Sequence, residues 1–429
     1  MKMKVVVVGY GDRGSVYADY AVKCPDELEI VAVVDPDLYR LKLAKEKFGL
    51  KDSQLLTDFN ELLKRGKIAD GAIVATMDQL HYEQAKALLE QNYHLLLEKP
   101  VVNNAEQLEE LRDMAVNRDR IMMVGHVLRY TPFYGSIKQD LLDGKVGQIM
   151  HIETSELVGV CHASCSYIRG KWKSEAECGS GMLLAKCCHD IDLICWLNNV
   201  TKPTEVVSYG GRNFITPNNA PKNSPDRCYD DCPHLETCRF SAKSLYVDND
   251  LFPIYSYPNI KKPHEEITLD EKLDALKTDD PMGVCAYKTG SDLVDHQSVM
   301  MKFKNGSTAF HSMMSAVPRP GRKIHIIGTE GEIEGFFEEN RYTYRKFDPK
   351  TSLYTEEYID VLEKIEKGVN HGGGDIGLIR DFVKRLRGEK PSIAATDISD
   401  SVNGHECVYA AEKSRTKGGC VKLGFNAFS

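Results

Sequence analysis

Residues 5–14 read Val5-Val6-Val7-Val8-Gly9-Tyr10-Gly11-Asp12-Arg13-Gly14, and a helical pattern, Ser15–Val22, follows at once. Four consecutive β-branched residues favour a buried strand, and the Gly-x-Gly-x-x-Gly turn then links strand to helix. In such a turn the first glycine bends the chain and the second lets the backbone approach a pyrophosphate. The third permits close helix–strand packing, and the helix N-terminus faces the phosphates. Asp35 ends the next apolar run about twenty residues further on, the spacing of a carboxylate that binds a ribose 2′-hydroxyl. The expected dinucleotide site therefore comprises Gly9, Tyr10, Gly11, Asp12, Arg13, Gly14 and Asp35. Asp35 favours NAD, because a carboxylate repels a 2′-phosphate. Arg13 and Arg40 keep NADP open, since either guanidinium suits a phosphate at the adenosine end.

Outward from this turn, the first 130 residues alternate short apolar runs with amphipathic ones. Runs at 5–8, 30–34, 71–75, 95–97 and 121–124 are separated by helical patterns at Tyr39–Phe48, Phe59–Lys64, Tyr82–Gln91 and Ala105–Asn117. That rhythm implies βαβ units and a doubly wound parallel sheet covered on both faces. Beyond Tyr130 the rhythm changes, which sets the expected domains at 1–130 and 131–429. Residues 201–263 are dense in Pro and Asn and read as a long irregular excursion. Val299–Phe303 and Thr308–Met313, joined through Lys304-Asn305-Gly306, read as a hairpin, giving the second domain an α+β character. Gly372-Gly373-Gly374-Asp375 reads as a tight turn opening a helix with Asp375 as its N-cap. A late helix, Ser401–Ser414, has a packing partner that pattern alone leaves undecided.

The chain has 429 residues, 42% hydrophobic and 28% charged, with 55 basic residues against 63 acidic ones for a net charge of −8. Two or three domains fit this length, and no basic run exists to displace counterions from a nucleic acid. Nucleic acid is therefore excluded as an expected partner. The N-terminal apolar run stops at four valines and no stretch approaches the ~20 apolar residues of a membrane span. A soluble, cytoplasmic protein without a membrane partner is expected. Of thirteen cysteines, nine fall between Cys161 and Cys238. The odd total argues for reduced thiols, some of them candidate metal ligands.

Glu98-Lys99-Pro100 follows the 95–97 run, at the strand end where open α/β sheets build their sites. Together with the glycine turn, Ala75-Thr76 with His81 behind it, and Gly125-His126-Val127-Leu128-Arg129-Tyr130, it resembles the glucose–fructose oxidoreductase, inositol dehydrogenase and MocA-like (Gfo/Idh/MocA) family. The resemblance implies an N-terminal Rossmann domain and a C-terminal α+β domain with a large open, mostly antiparallel sheet that supports substrate binding and homo-oligomer formation. It implies hydride transfer between nicotinamide and a sugar or cyclitol carbon, with Lys99 beside the reacting hydroxyl. It also places Ala75, Thr76, His81, Glu98, Lys99, His126 and Arg129 around the cofactor.

The second-domain signature runs from Gly179 to Asp192, and by the same resemblance His189 is the acid or base. Family members often carry Asp four residues earlier, where this chain has Ala185. Lys186, three residues before His189, shares its face on a regular helix. The expected mechanism has His189 relaying the hydroxyl proton while Lys99 and Lys186 stabilise alkoxide character. Asp192 is expected to orient or to serve the structure, and Cys187 and Cys188 to pack. For the substrate, His162, Tyr167, Arg169, Lys171 and Trp172 combine cations with aromatics suited to a sugar face. Asp190, Tyr287 and His296 add polar groups.

Cys228-x3-Cys232-x5-Cys238 brings three thiols into the excursion. With His234, Cys161, Cys165 or Cys178 they would complete a structural zinc site, and ordinary free thiols or an iron–sulfur or redox role are the alternatives. Three functional readings stand. The first is an NAD(P)-dependent oxidoreductase acting on a secondary hydroxyl of a sugar, sugar derivative or cyclitol. The second is an NAD-dependent glycoside hydrolase working by transient oxidation, elimination and re-reduction, and the third a non-catalytic cofactor-binding regulator.

Overall fold

A computed structural model describes residues 1–365 and 370–424. Strands β1 (Met3–Val8), β2 (Leu28–Val34), β3 (Leu55–Leu56), β4 (Gly71–Val74), β5 (His94–Leu97) and β6 (Met122–Val124) form one sheet in the order β3-β2-β1-β4-β5-β6. All of its pairings are parallel. The valines of β1 are buried on both faces, as a sheet flanked by helices on each side requires. The order reverses between β1 and β4, so the carboxyl ends of the strands open a crevice there. Gly9, Asp35, Ala75, Glu98 and Gly125 each directly follow a strand and gather at that edge.

The second sheet has nine strands: β7 (Ile149–Gly159), β8 (Pro203–Gly211), β9 (His296–Phe303), β10 (Thr308–Val317), β11 (Gly321–Gly328), β12 (Gly331–Phe336), β13 (Arg341–Asp348), β14 (Leu353–Asp360) and β15 (Val421–Lys422). Their order is β14-β13-β12-β11-β7-β10-β9-β8-β15, antiparallel throughout except for β7 with β10. The β9–β10 hairpin turns where Asn305-Gly306 stands, with Gly306 at φ +90°.

Three departures from the sequence reading have clear causes. Pro203–Gly211 lies in the stretch read as irregular but forms β8, because proline is tolerated as the first residue of a strand. The irregular excursion therefore begins after Gly211 and runs to β9. It holds a small core of its own, with Tyr246, Tyr257, Leu276 and Met282 buried together. Finally, two late helices cross the expected boundary at residue 130. Gly374–Leu386 buries Leu378, Ile379, Phe382 and Val383 in the core beneath β1. Ile398–Lys417 lies between the domains: Ile398 and Val402 join the first core, while Cys407, Val408, Ala410 and Ala411 join the second. No helix among the described residues is long and apolar enough to cross a membrane.

Candidate active site at the domain junction

The glycine turn is set by sterics. A Cβ on Gly14 would stand 1.9 Å from the Gly9 carbonyl oxygen, and one on Gly9, at φ +87°, would stand 2.6 Å from the Ala75 oxygen. Gly11 differs, since a Cβ there would meet nothing nearer than the Arg40 guanidinium at 3.5 Å. No protein atom requires Gly11 to be bare. The space in front of it, before the helix that begins at Asp12, suits the approach of a pyrophosphate. Asp35 is buried, with Oδ2 accepting from the Tyr10 N–H at 2.8 Å and Oδ1 from the Asp37 N–H at 2.9 Å. Arg40 stands 3.6 Å from Asp35, and Lys261 of the excursion reaches Asp37 at 3.2 Å. These residues fit a dinucleotide, with a carboxylate and two cations at the adenosine end.

Arg13 is not turned toward that crevice. Its guanidinium donates to Glu98 Oε1 (2.8 Å), Tyr17 Oη (2.6 Å) and Asp375 Oδ1 (2.5 Å). Asp375 is thus an ion-pair partner inside a helix whose N-cap is Gly373, not the cap expected from sequence. Burial pushes the Glu98 carboxyl up, but the charges of Arg13 and Lys99 and the Tyr17 hydroxyl outweigh it and hold Glu98 below its ordinary range. His81 is a staple, with Nδ1 2.7 Å from the Pro100 oxygen and Nε2 3.2 Å from the Thr76 oxygen. Thr76 Oγ1 donates to Gln84 Oε1 at 2.6 Å.

Lys99 makes the link to the second domain. Its Nζ donates to the Ala185 oxygen at 2.8 Å, within a π-helical turn, Leu183–Cys187, that precedes the helix Cys188–Leu197. Irregular turns of this kind free a carbonyl from the regular ladder and recur at functional sites. His189, on the first turn of the following helix, is half-buried, and its Nδ1 has no hydrogen-bond partner. Burial pushes this imidazole well below its ordinary range, and Lys99, His126, Arg322 and Lys186 push the same way. The ring is therefore held neutral, the state a general base must be in before it takes a proton.

Lys186 does not stand alone beside it. Its Nζ lies 3.4 Å from Glu156 Oε1, and Arg322 pairs with Glu156 at 2.5 Å and with Asp190 Oδ1 at 3.0 Å. Asp190, expected to touch substrate, is therefore a buried member of an ionic web. Its Oδ2 lacks a hydrogen-bond partner, as does Nε2 of the buried His311. Ligand atoms of Cys187, Asp190 and His311 all lie within 4.8 Å of one another, the one such trio among the described residues. Glu156, Arg322 and His311 were not found from sequence. Two of them had a signal: Glu156 shares the inward face of β7 with Ile152 and Val158, and His311 that of β10 with Ala309 and Met313, each a polar residue on an apolar stripe.

Behind His189 lies a column of imidazoles. His126 sits 5.6 Å from the His189 ring and 5.4 Å from His405. Arg129 is fully buried: Nε and Nη2 donate to Asp192 at 2.7 and 2.6 Å, and Nη1 donates to Asp400 at 2.6 Å. His126 and Arg129 thus support the His189 helix from behind rather than standing on the cofactor as the resemblance implies. Asp192 is the structural acid expected.

The substrate candidates divide. His162, Tyr167 and Trp172 join Phe252 and Tyr255 of the excursion in one aromatic wall. His162 stacks on Phe252 at 4.9 Å, and Trp172 meets Tyr255 edge-on at 6.4 Å. The Lys171 ammonium lies 4.3 Å from the centre of the Trp172 ring. Phe252 and Tyr255 carried no signal in a stretch read as irregular. Arg169 turns away into the protein, donating to Val284, Ser164, Phe240 and Cys228. His296 is held by Asp295 at 2.8 Å at the start of β9. Tyr287 packs on Phe240. Cys187 and Cys188 are buried, and burial raises both thiols. Cys228, Cys232 and Cys238 line one small cavity, without closing to the spacing of the Cys187 trio.

Residues 3–126 match an oxidoreductase family described by its NAD-binding Rossmann fold, and residues 138–423 match the C-terminal alpha/beta domain of that family. The Bacillus subtilis oxidoreductase YteT is 27% identical over 361 residues, 82% of each chain. The scyllo-inositol 2-dehydrogenase (NADP(+)) IolW of the same organism is 25% identical over 190 residues, 44% of this chain and 50% of its own. Among solved structures, a levoglucosan dehydrogenase in complex with NADH and levoglucosan superposes with a TM-score of 0.71 at 16% identity, over 99% of this chain and 100% of that one. An Agrobacterium radiobacter oxidoreductase in complex with NAD+, L-tartaric acid and magnesium gives 0.68 at 16% identity, over 98% of both chains.

Proposed function

The chain belongs to the Gfo/Idh/MocA family of NAD-binding oxidoreductases, and from that premise we propose that it moves hydride between nicotinamide and a secondary hydroxyl of a sugar, sugar derivative or cyclitol. The observation that carries this reading is the meeting of Lys99 with the His189 turn. A cation at the end of β5 binds the Ala185 oxygen and lies close enough to a neutral imidazole on the second domain to act on its charge. NAD, when bound, supplies the hydride acceptor. His189 accepts the hydroxyl proton, and the Lys99 ammonium stabilises negative charge growing on the oxygen. Lys186, held by Glu156, adds positive potential from the other side. The product is a ketone.

The wall of His162, Tyr167, Trp172, Phe252 and Tyr255 supports a carbohydrate-like substrate, because aromatic faces cover the C–H side of a ring while its hydroxyls seek polar partners. Inositol and levoglucosan dehydrogenases among the relatives point the same way. Asp35 supports NAD as the preferred coenzyme.

The test is a panel of sugars, anhydrosugars and cyclitols incubated with NAD, followed by NADH absorbance. Net NADH formed in proportion to one member supports the reading. Release of an aglycone from aryl glycosides with no net NADH from any member would replace it with the redox-neutral hydrolase, and neither signal would leave a regulator.

A further inference from the structure

Away from the active site, four cysteines from separate turns converge on one cavity. Cys228, Cys232 and Cys238 come from the excursion and Cys285 from its return toward β9, and all four line a cavity of about 20 Å³. All are free thiols, three of them half-buried and Cys228 buried. The Phe240 N–H donates to the Cys238 sulfur at 3.4 Å.

The second observation is Arg169. This guanidinium is only 2% exposed, and the acidic side chains that act on it are those of Tyr246, Cys228 and Cys285 rather than a carboxylate. Its donors go to carbonyls, to the Ser164 hydroxyl and, at 3.6 Å, to the Cys228 sulfur. A buried cation without a counter-charge is costly, and the thiols are the acidic groups at hand that can supply one. Four thiolates on one divalent ion leave two negative charges in excess, which a neighbouring guanidinium offsets in part.

We propose that Cys228, Cys232, Cys238 and Cys285 bind a single structural zinc ion, with Arg169 as its buried counter-charge. The cavity admits one ion and is too small for an iron–sulfur cluster. Cys285 is the fourth ligand in place of the candidates named from sequence. His234 also lines the cavity, with Nε2 held by the Lys222 oxygen at 2.8 Å, but the four thiols already fill a tetrahedral set; Cys161 and Cys165 face the Leu251 and His162 oxygens, and Cys178 faces Ser180. The sulfurs stand around the cavity wider than the Cys187 trio, so binding one ion requires the thiols to move inward. Arg169 lies between Tyr167 and Trp172 in sequence, so the ion also fastens the excursion to the aromatic wall of the active site.

The test is elemental analysis of the full chain prepared without added metal, followed by exchange to cobalt under reducing conditions. The expected result is one zinc per chain and a cobalt spectrum with the strong charge-transfer absorption of four thiolates. Cys285→Ser should lose most of the metal, while the exposed Cys420→Ser retains it. No zinc even after reconstitution, or full retention by Cys285→Ser, overturns the proposal. A cobalt spectrum of one thiolate places the ion at Cys187, Asp190 and His311 and equally overturns it. If Cys285→Ser fails to fold, the wild-type stoichiometry and cobalt spectrum decide alone.

Discussion

Two turns build this site, and they are built differently. The Gly9–Gly14 turn is closed by its own backbone: Gly14 packs on Gly9, and Gly9 on Ala75. The Gly179–Asp192 stretch owes its form to distant partners. Lys99 arrives from β5, Glu156 from β7 and Arg322 from β11, while Asp192 is held by Arg129. Local sterics make the cofactor end a short motif. Long-range ion pairs make the His189 end a property of the assembled fold.

The sharpest way to break the contrast is at the link between the two ends. Lys99→Met should lower kcat by about 10²–10⁴-fold, the range for removing a group that acts in the transition state. NADH affinity, read by fluorescence titration, should stay within a few-fold. A matching loss of NADH affinity would make Lys99 a cofactor residue rather than a bridge.

Next is Arg129→Leu, which strands Asp192 in the protein. Removing one partner of a buried pair costs about 3–5 kcal/mol, to be read as a lower urea midpoint at unchanged m-value. A loss below about 1 kcal/mol would show that the His189 helix does not depend on its buried support.

The cofactor end is sharpened by Gly11→Ala against Gly14→Ala. A methyl at Gly11 has room in the protein and occupies the space left for pyrophosphate. It should keep the melting temperature while weakening NAD binding about ten- to a hundredfold, roughly 1.4–2.8 kcal/mol. Gly14→Ala, 1.9 Å from a carbonyl oxygen, should lower the melting temperature itself. Equal melting temperatures for the two variants would remove the distinction.

The smallest effect, per group, is on acid stability. Burial first, then neighbouring cations, hold His126 and His189 well below the ordinary imidazole range, and burial with His126 holds His405 at about 3. The unfolded chain takes up protons near pH 6.5 while the folded one does not. Stability should therefore fall as pH drops below 6.5, by about 1.4 kcal/mol per pH unit per histidine. His126→Gln should flatten that slope in urea titrations from pH 7 to 5, and an unchanged slope would show that His126 titrates alike in both states.

What could be read before folding follows the same division. Alternating runs and one glycine turn sufficed for the parallel sheet, and Asn305-Gly306 for a hairpin, because each signal lies within a few residues. Lys99 and His189 were legible as members of quoted motifs. Arg13 and Arg129 were not, since whether a guanidinium faces phosphate or carboxylate depends on Asp375, Asp192 and Asp400, far along the chain. Phe252 and Tyr255 sit where composition says only that the chain is irregular. Cys285 lies nearly fifty residues past the cysteines it joins.

In the proposed chemistry His189 is the neutral base at the domain junction. Single-turnover reduction of NAD by His189→Asn, with the best substrate from the panel, tests it most directly. The predicted result is a rate about 10³-fold below wild type with NADH binding intact. Turnover within about tenfold of wild type would contradict it.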